Sequence, residues 1–405
     1  MAIVISGMGI VSALGCGIKP TLRALSKNIS GIKKIEHLET KLSHFPSGEV
    51  KMSDNEMKKM LNLRIKDPIT RTTLMGRIAL KEAILASFLP KYSGLRIAFI
   101  SGTTVGGMEK SERYYTDFLT NTNHKEYIAT HDCGANTDSI AAVYEGKFHL
   151  MTTLSTACSS AANAIILGAN LLKTHRADIV VAGGSECLSK FHINGFHTLK
   201  ILDSDPCKPF DAQRNGINLG EGAAYIVLEN ERLAKERVMR PLCYLSGYAN
   251  ACDAYHQTAS SPDGEGAYLA MCNALKMSNL QPEEISYINA HGTGTLNNDL
   301  SEGIAIERLF GKKVPYLSST KAFTGHTTSA AGAIEAVISI LALRYGFIPA
   351  NLNWCTPMEE LSFSPVNQLI KQNLKHVLSN SFGFGGNNSA LVFSTTKKRN
   401  SLISK

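Results

Sequence analysis

The chain has 405 residues, 44% of them hydrophobic and 19% charged, with a formal net charge of +8. That balance excludes a disordered chain and leaves length for a large core, enough for two or three domains. Its nine cysteines, an odd number without a Cys-x-x-Cys pair, exclude a disulfide framework and a zinc site and fit a reducing cytoplasm.

The N-terminal "MAIVISGMGIVSALG" is apolar but has no basic leader and is broken by glycines, so it reads as a buried strand and turn. Residues 51 to 82 hold a local basic excess that includes Lys58, Lys59, Arg64, Lys66 and Arg71. Such a run is either a solvated helix face or a docking patch for an acidic partner. "RIAFISG" (96–102) is an expected strand. The loop "SGTTVGGME" after it carries Val105 as its bulky apolar member.

Next comes "LSTACSSAANAII" (154–166), where a strand is expected to end and a helix over 160–173 to begin. A cysteine at that junction, Cys158, faces the unpaired N–H groups and positive dipole end of a helix. Those lower a thiol's pKa and make it a nucleophile; the alternative is an inert small hydrophobe. Expected strands follow at 177–186, 223–230, 285–295 and 389–396, with helices over 265–278 and 331–344. No run approaches the roughly 18 uninterrupted apolar residues of a bilayer span. No dense basic stripe suggests nucleic-acid binding; part of the charge lies in the tail "KKRNSLISK".

Apolar strands alternating with helices imply parallel sheets covered on both faces. An internal echo points to duplication. "LSTACSSAANAIILGANLL" resembles "GHTTSAAGAIEAVISILAL" with Ser160 laid on Ser329, and "VISGMGIVSALG" resembles "CYLSGYANACDAYH". Two related halves, 1–240 and 241–405, are expected to pack small-residue helices at their centre.

Acyl chemistry at Cys158 needs a base or hydrogen-bond donor and oxyanion stabilisers. His291, in "NAHGTGT", and His326, in "STKAFTGHTTSAAG", stand at strand ends followed by Gly and Thr, where α/β folds place working residues. Lys321 shares the loop of His326, and Glu335 lies inside the following helix. The glycine-rich "NSFGFGGNNSA" lacks the Lys-Ser/Thr of a phosphate loop and precedes a strand. It is expected to be a tight loop whose N–H groups approach a reacting carbonyl, with Phe382 and Phe384 excluding water.

In order and spacing, "TACSS", "NAHGTGT", "SSTKAFTGH", "AAGAIEA" and "NSFGFGGNN" resemble the β-ketoacyl-ACP synthases. The likeness is to elongating enzymes of type II fatty acid synthesis and to type II polyketide ketosynthases, and it runs from about residue 2 to 395. The resemblance implies a thiolase-like fold, two similar halves in a five-layered α-β-α-β-α core, usually a homodimer. It implies a decarboxylative condensation of an acyl group on Cys158 with malonyl-ACP, without metal or cofactor. It assigns His291 and His326 to decarboxylation, Lys321 and Glu335 to the supporting network, and the N–H groups of Cys158 and Phe384 to the oxyanion hole. Phe384 then also gates the acyl channel, and Thr293 and Thr295 stand beside the malonyl and pantetheine arm. Acyl carrier protein is the implied partner, docking on Lys58, Lys59, Arg64, Lys66 and Arg71, with Lys66 and Arg71 foremost. Thr328 and Ser329 stand where Leu and Gly are usual, Leu296 where Pro is common, and 125–150 departs near where acyl chains are held. These leave a specialised polyketide or aryl polyene pathway, or a heterodimer with a second ketosynthase-like subunit, as alternatives.

Overall fold

The apolar strands are apolar on both faces because each face meets a different layer of helices. In the computed structural model, which describes residues 1–91, 94–120 and 123–395, ten strands follow one path. They are β1 (Ile3–Ser12), β2 (Ile97–Gly102), β3 (Leu150–Leu154), β4 (Ile179–Glu186), β5 (Gly222–Asn230), β6 (Cys243–Cys252), β7 (Tyr287–Asn289), β8 (Tyr316–Ser318), β9 (His376–Gly383) and β10 (Asn387–Ser394). Their lateral order is β3-β2-β4-β5-β1-β6-β10-β9-β7-β8. At the middle, β1 and β6 pair only through Ile3–Leu245, Val4–Tyr244 and Ile5–Cys243.

Outward from that join the order is β1-β5-β4-β2-β3 on one side and β6-β10-β9-β7-β8 on the other. The two sets of five strands have the same topology, so the echo between their opening strands reflects equivalent positions. The strands are not all parallel as expected. β2 pairs in parallel with β3 and β4, and β7 with β8 and β9, while the remaining neighbours are antiparallel. Between β9 and β10 only Phe384–Gly386 intervene, which is enough for a hairpin and far too short for a parallel crossover.

The principal helices are α1 (Asp54–Met60), α2 (Arg71–Ser87), α3 (Met108–Thr120), α4 (Cys133–Ala141), α5 (Ser160–Lys173), α6 (Lys190–Thr198), α7 (Glu265–Ser278), α8 (Leu296–Phe310), α9 (Lys321–Thr324) and α10 (Ala331–Tyr345). α2 packs across β1 and β5 on one outer face, with α4 beside it. α7 packs across β6 and β10 on the other, with α8 beside it. α5 and α10 lie between the two sets of strands, giving five layers. Period-two alternation divides each strand accordingly. On β5, Ala224, Ile226 and Leu228 join the central core, and Ala223, Tyr225 and Val227 join the core beneath α2. On β10, Leu391 and Phe393 face the centre, and Ala390 and Val392 face α7.

α5 and α7 span the lengths expected for them, and α10 runs one residue further. The strand expected over 285–295 is only three residues long, because Gly292 and Gly294 take φ values of 37° and 82°. Residues 328–345 are long and apolar enough to cross a membrane, but nearly all are buried between the strand layers. Glu335 and Arg344 interrupt this stretch, so it is not an uninterrupted apolar run of the kind a bilayer span was expected to need. α10 and α5 meet at Gly332, where an added Cβ would stand 2.8 Å from the Ala162 Cβ. The tail "KKRNSLISK" and the last residue of the strand expected over 389–396 lie outside the described residues.

Candidate active site

Cys158 follows β3 through a sharp turn. Ala157 takes a φ of 51°, a left-handed conformation that costs a non-glycine residue of order 1–3 kcal/mol and persists only where the surroundings impose it. Here short hydroxyl side chains impose it. Ser160 Oγ donates to Ala157 O (2.6 Å) and accepts from Thr156 N (2.9 Å), and Ser159 Oγ reaches Thr156 O (2.7 Å). The result is a buried thiol two residues ahead of α5.

From the other set of strands comes the hairpin loop 384–386. Gly383 lies flat against the turn: a Cβ there would be 3.0 Å from Thr156 O and 3.2 Å from Cys158 N. This approach brings the N–H of Phe384 to the sulfur, which also takes a hydrogen bond from the N–H of Cys158. The two backbone donors therefore converge where an acyl oxyanion would form. The thiol itself departs from expectation. Burial pushes it up to about 12, outweighing the opposing Lys321 ammonium and both N–H groups.

His291 and His326 complete the site. Their rings are 5.3 Å apart, centroid to centroid, at 86°, and Phe382 lies 5.7 Å from His291. Lys321, fully buried, donates from Nζ to His291 Nδ1 (3.2 Å), to the His291 carbonyl and to Glu335. An ammonium facing Nδ1 requires a lone pair there, so the ring proton of His291 sits on Nε2. Burial, and after it the Lys321 charge, hold both imidazoles well below their ordinary 6.5. His326 is fixed by its backbone: its N–H donates to Asn218 O (2.8 Å) and its carbonyl accepts from Gly220 N (2.9 Å).

These groups border one cavity of about 300 Å3. Cys158, His291, His326, Thr293, Thr295, Phe382 and Phe384 line it, and Lys321 and Glu335 stand behind His291. Phe384 stacks on Phe196, with centroids 5.7 Å apart. Val105 is buried but does not line this cavity.

The proposed docking residues divide. Lys59, Arg64 and Lys66 are exposed, but Arg71 and Lys58 are spent inside the protein. Arg71 forks onto Glu221 (2.6 and 2.9 Å) and reaches Asp54 (3.0 Å), while Lys58 Nζ donates to the carbonyls of Ile65 and Asp67. This corrects the reading of those two as docking residues, Arg71 having been one of the foremost. Counting charges along a chain does not reveal an ion pair with a residue 150 positions away.

Glu302 on α8 was not anticipated. Its carboxylate accepts from the N–H groups of His291 (2.9 Å) and Gly292 (2.8 Å) and from Asn380 Nδ2 (3.0 Å). Burial pushes its carboxyl up to about 7. The available signal was an acidic residue on a helix face shared with Ala305 and Ile306. Asp299 plays a like part, accepting from Gly294 N and Phe210 N.

A duplicated, five-layered α/β fold with a cysteine at the start of one central helix and two histidines from the opposite half defines a thiolase-type condensing enzyme. Residues 1–234 match the family described as "Beta-ketoacyl synthase, N-terminal domain", and residues 242–354 match "Beta-ketoacyl synthase, C-terminal domain". The chain belongs to the β-ketoacyl synthase family. It is 34% identical to "3-oxoacyl-[acyl-carrier-protein] synthase 2" of Coxiella burnetii, over 97% of this chain and 98% of the relative. Among solved structures it is similar to "The ishigamide ketosynthase/chain length factor", with a TM-score of 0.91, 27% identity, and coverage of 98% and 99%. A type II polyketide acyl-carrier protein in complex with its ketosynthase gives 0.86, with 26% identity and the same coverage.

Proposed function

We propose that the protein is a β-ketoacyl-[acyl-carrier-protein] synthase that extends an acyl group held on Cys158 by two carbons taken from malonyl-ACP, in fatty acid biosynthesis. The observation that carries this is the convergence of Cys158, His291 and His326 on one cavity, with two backbone N–H groups aimed at the sulfur. The Cys158 sulfur attacks the acyl thioester, and its proton leaves with the departing carrier thiol. Malonyl-ACP then enters; its carboxylate departs as CO2 and the bonding electrons pass to the enolate oxygen. The Nε2–H of His291 and the ring of His326 stabilise that oxygen in a site that Phe382 and Phe384 keep dry. The enolate carbon attacks the acyl carbonyl, the oxyanion rests on the N–H groups of Cys158 and Phe384, and the C–S bond breaks. The released sulfur regains a proton from solvent, in keeping with its raised pKa.

Neutral imidazoles make this reading testable by pH. A base whose pKa is depressed in the fold loses stability as pH falls below its unfolded value near 6.5, because only the unfolded chain then takes up the proton. The rings themselves stay neutral through that range. Titration of the imidazoles therefore gives malonyl-thioester decarboxylation no step at 6.5 between pH 8 and pH 6. The group that does titrate in that window is the Glu302 carboxyl, pushed up to about 7 beneath the His291 backbone, and a step it causes is abolished in Glu302→Gln. A drop centred near 6.5 that persists in Glu302→Gln would mean ordinary, exposed histidines and would contradict the site.

Lys59, Arg64 and Lys66 support docking of an acidic carrier protein. Reversing the charge of Lys59 and Lys66 together raises KM for acyl-ACP and flattens its salt dependence, with kcat little changed. Turnover of a short N-acetylcysteamine thioester, which needs no docking, stays the same. An equal loss with that small substrate would make the patch structural.

Among the described residues no strand stands beside the outer side of β3, and Met151 on it is exposed. An open, uncharged edge of this kind favours covering by another chain, which supports a homodimer or a pair with a second ketosynthase-like subunit. Nine free cysteines support a cytoplasmic location. A specialised polyketide or aryl polyene pathway is the second reading, favoured by the hydroxyls of Thr328 and Ser329 beside the catalytic turn. Ser329 Oγ donates to Glu186 (2.7 Å), and Thr328 Oγ1 is buried without a partner.

A further inference from the structure

The oxyanion hole assigned above takes one donor from each half of the molecule, so its width depends on whatever ties the two halves together there. The loop that carries Phe384 is a poor guarantor by itself. Gly385 and Gly386 take φ values of 80° and 74°, and nothing stands within 4 Å of where a Gly385 side chain would be. Its own backbone anchors run elsewhere, from Gly385 N to Gln257 O (2.7 Å) and from Asp253 N to Gly386 O (2.9 Å).

The tie to the nucleophile is Asn387, the residue after Gly386. Its Oδ1 accepts from Ser159 Oγ (2.8 Å), Asn163 Nδ2 (2.7 Å) and Asn250 Nδ2 (2.7 Å). Ser159 directly follows Cys158, and Asn163 lies one turn further on, where its Nδ2 also donates to Thr156 Oγ1 (2.8 Å). Asn250 on β6 closes the set, donating to Asn163 Oδ1 (3.1 Å) and Ser389 Oγ (3.0 Å); Ser389 Oγ in turn donates to Asn163 Oδ1 (2.9 Å). One amide oxygen thus joins the turn that presents the Cys158 N–H to the hairpin that presents the Phe384 N–H. A side-chain hydrogen-bond network of this kind, buried or half-buried apart from the exposed Asn250, rigidifies what it joins.

We propose that Asn387 is a positioning residue that sets the separation of the two oxyanion donors, and that Ser159, Asn163 and Asn250 act through it. This rests on the assignment of those donors to the oxyanion hole. It follows that Asn387 matters where the acyl carbonyl becomes tetrahedral and not where the malonyl unit loses CO2, since the enolate oxygen rests on the two histidines.

The test measures two rates on each variant. One is single-turnover acylation of Cys158 by a short acyl thioester, followed by intact mass. The other is release of CO2 from a malonyl thioester. Losing a donor outright costs about 10²–10³ in rate, so displacing one in Asn387→Leu is expected to slow acylation about 10- to 100-fold. CO2 release should stay within about threefold of the parent. Ser159→Ala and Asn250→Ala each leave Oδ1 with two donors. They should show smaller losses in acylation alone, and they keep the test available if Asn387→Leu does not fold. Equal loss of both rates would make the network merely structural and overturn the proposal, as would unchanged acylation in all three variants. His291→Ala and His326→Ala are run alongside. If they too keep CO2 release, the reading of the site itself fails; if they lose it while Asn387→Leu acylates normally, only the role of Asn387 falls.

Discussion

Cys158→Ala abolishes acyl transfer and condensation while leaving the protein folded. In the proposed mechanism every step that holds the growing chain passes through this sulfur, and no other cysteine lines the cavity, so no neighbouring thiol can substitute for it. The structural cost is small. Alanine already precedes the position, the turn is held by Ser159 and Ser160, and only one buried atom is lost. A typical single substitution costs about 1 kcal/mol, which moves Tm by only about 2–4 °C or less in a protein of this size. Intact mass spectrometry after mixing with acyl-ACP checks the result: the parent gains the acyl mass and the variant does not. A variant that still condensed acyl and malonyl units would remove Cys158 from the mechanism.

The second large effect falls on the other half-reaction. His291→Ala and His326→Ala each remove one hydrogen bond from the developing enolate, and each should lower malonyl decarboxylation about 10²–10³-fold. Cys158 acylation should survive in part, because the backbone donors of the tetrahedral oxyanion are untouched. The two substitutions are not equivalent. His291→Ala also takes away an acceptor of the buried Lys321 ammonium, which keeps only the residue-291 carbonyl and Glu335. That variant should therefore be the less stable of the pair. Measuring CO2 release and acyl-enzyme formation separately distinguishes the steps, and full condensation activity in either variant would count against the mechanism.

What could be read from the sequence follows from the range of the interactions involved. α5 and α7 were legible to the residue, because apolar spacing and small residues act within one turn. The duplication was legible because both central helices need Ala, Gly and Ser to approach each other. The strand expected over 285–295 was read too long because its apolar beginning gave no sign that Gly292 and Gly294 would turn the chain. Arg71 and Lys58 looked like surface charge because their partners are fixed only by the fold: Glu221, Asp54 and the carbonyls of Ile65 and Asp67. The same limit hid Glu302, whose role is to accept backbone N–H groups that no sequence pattern displays. It also misjudged the thiol. The helix end that favours a thiolate was visible, whereas the burial that outweighs it appears only once both halves are folded.

The meeting of α5 and α10 at Ala162 and Gly332 has a consequence for how such an enzyme can change. The nucleophile precedes one of these helices and His326 the other, so the thickness of two tiny residues works as the gauge block of the reaction. A single methyl at position 332 would wedge the helices apart and move sulfur and imidazole away from each other at once. No rearrangement of surface loops could restore that spacing. Natural variation has room at the cavity walls and along the rim, where a new substrate can be accommodated, but very little at the hub.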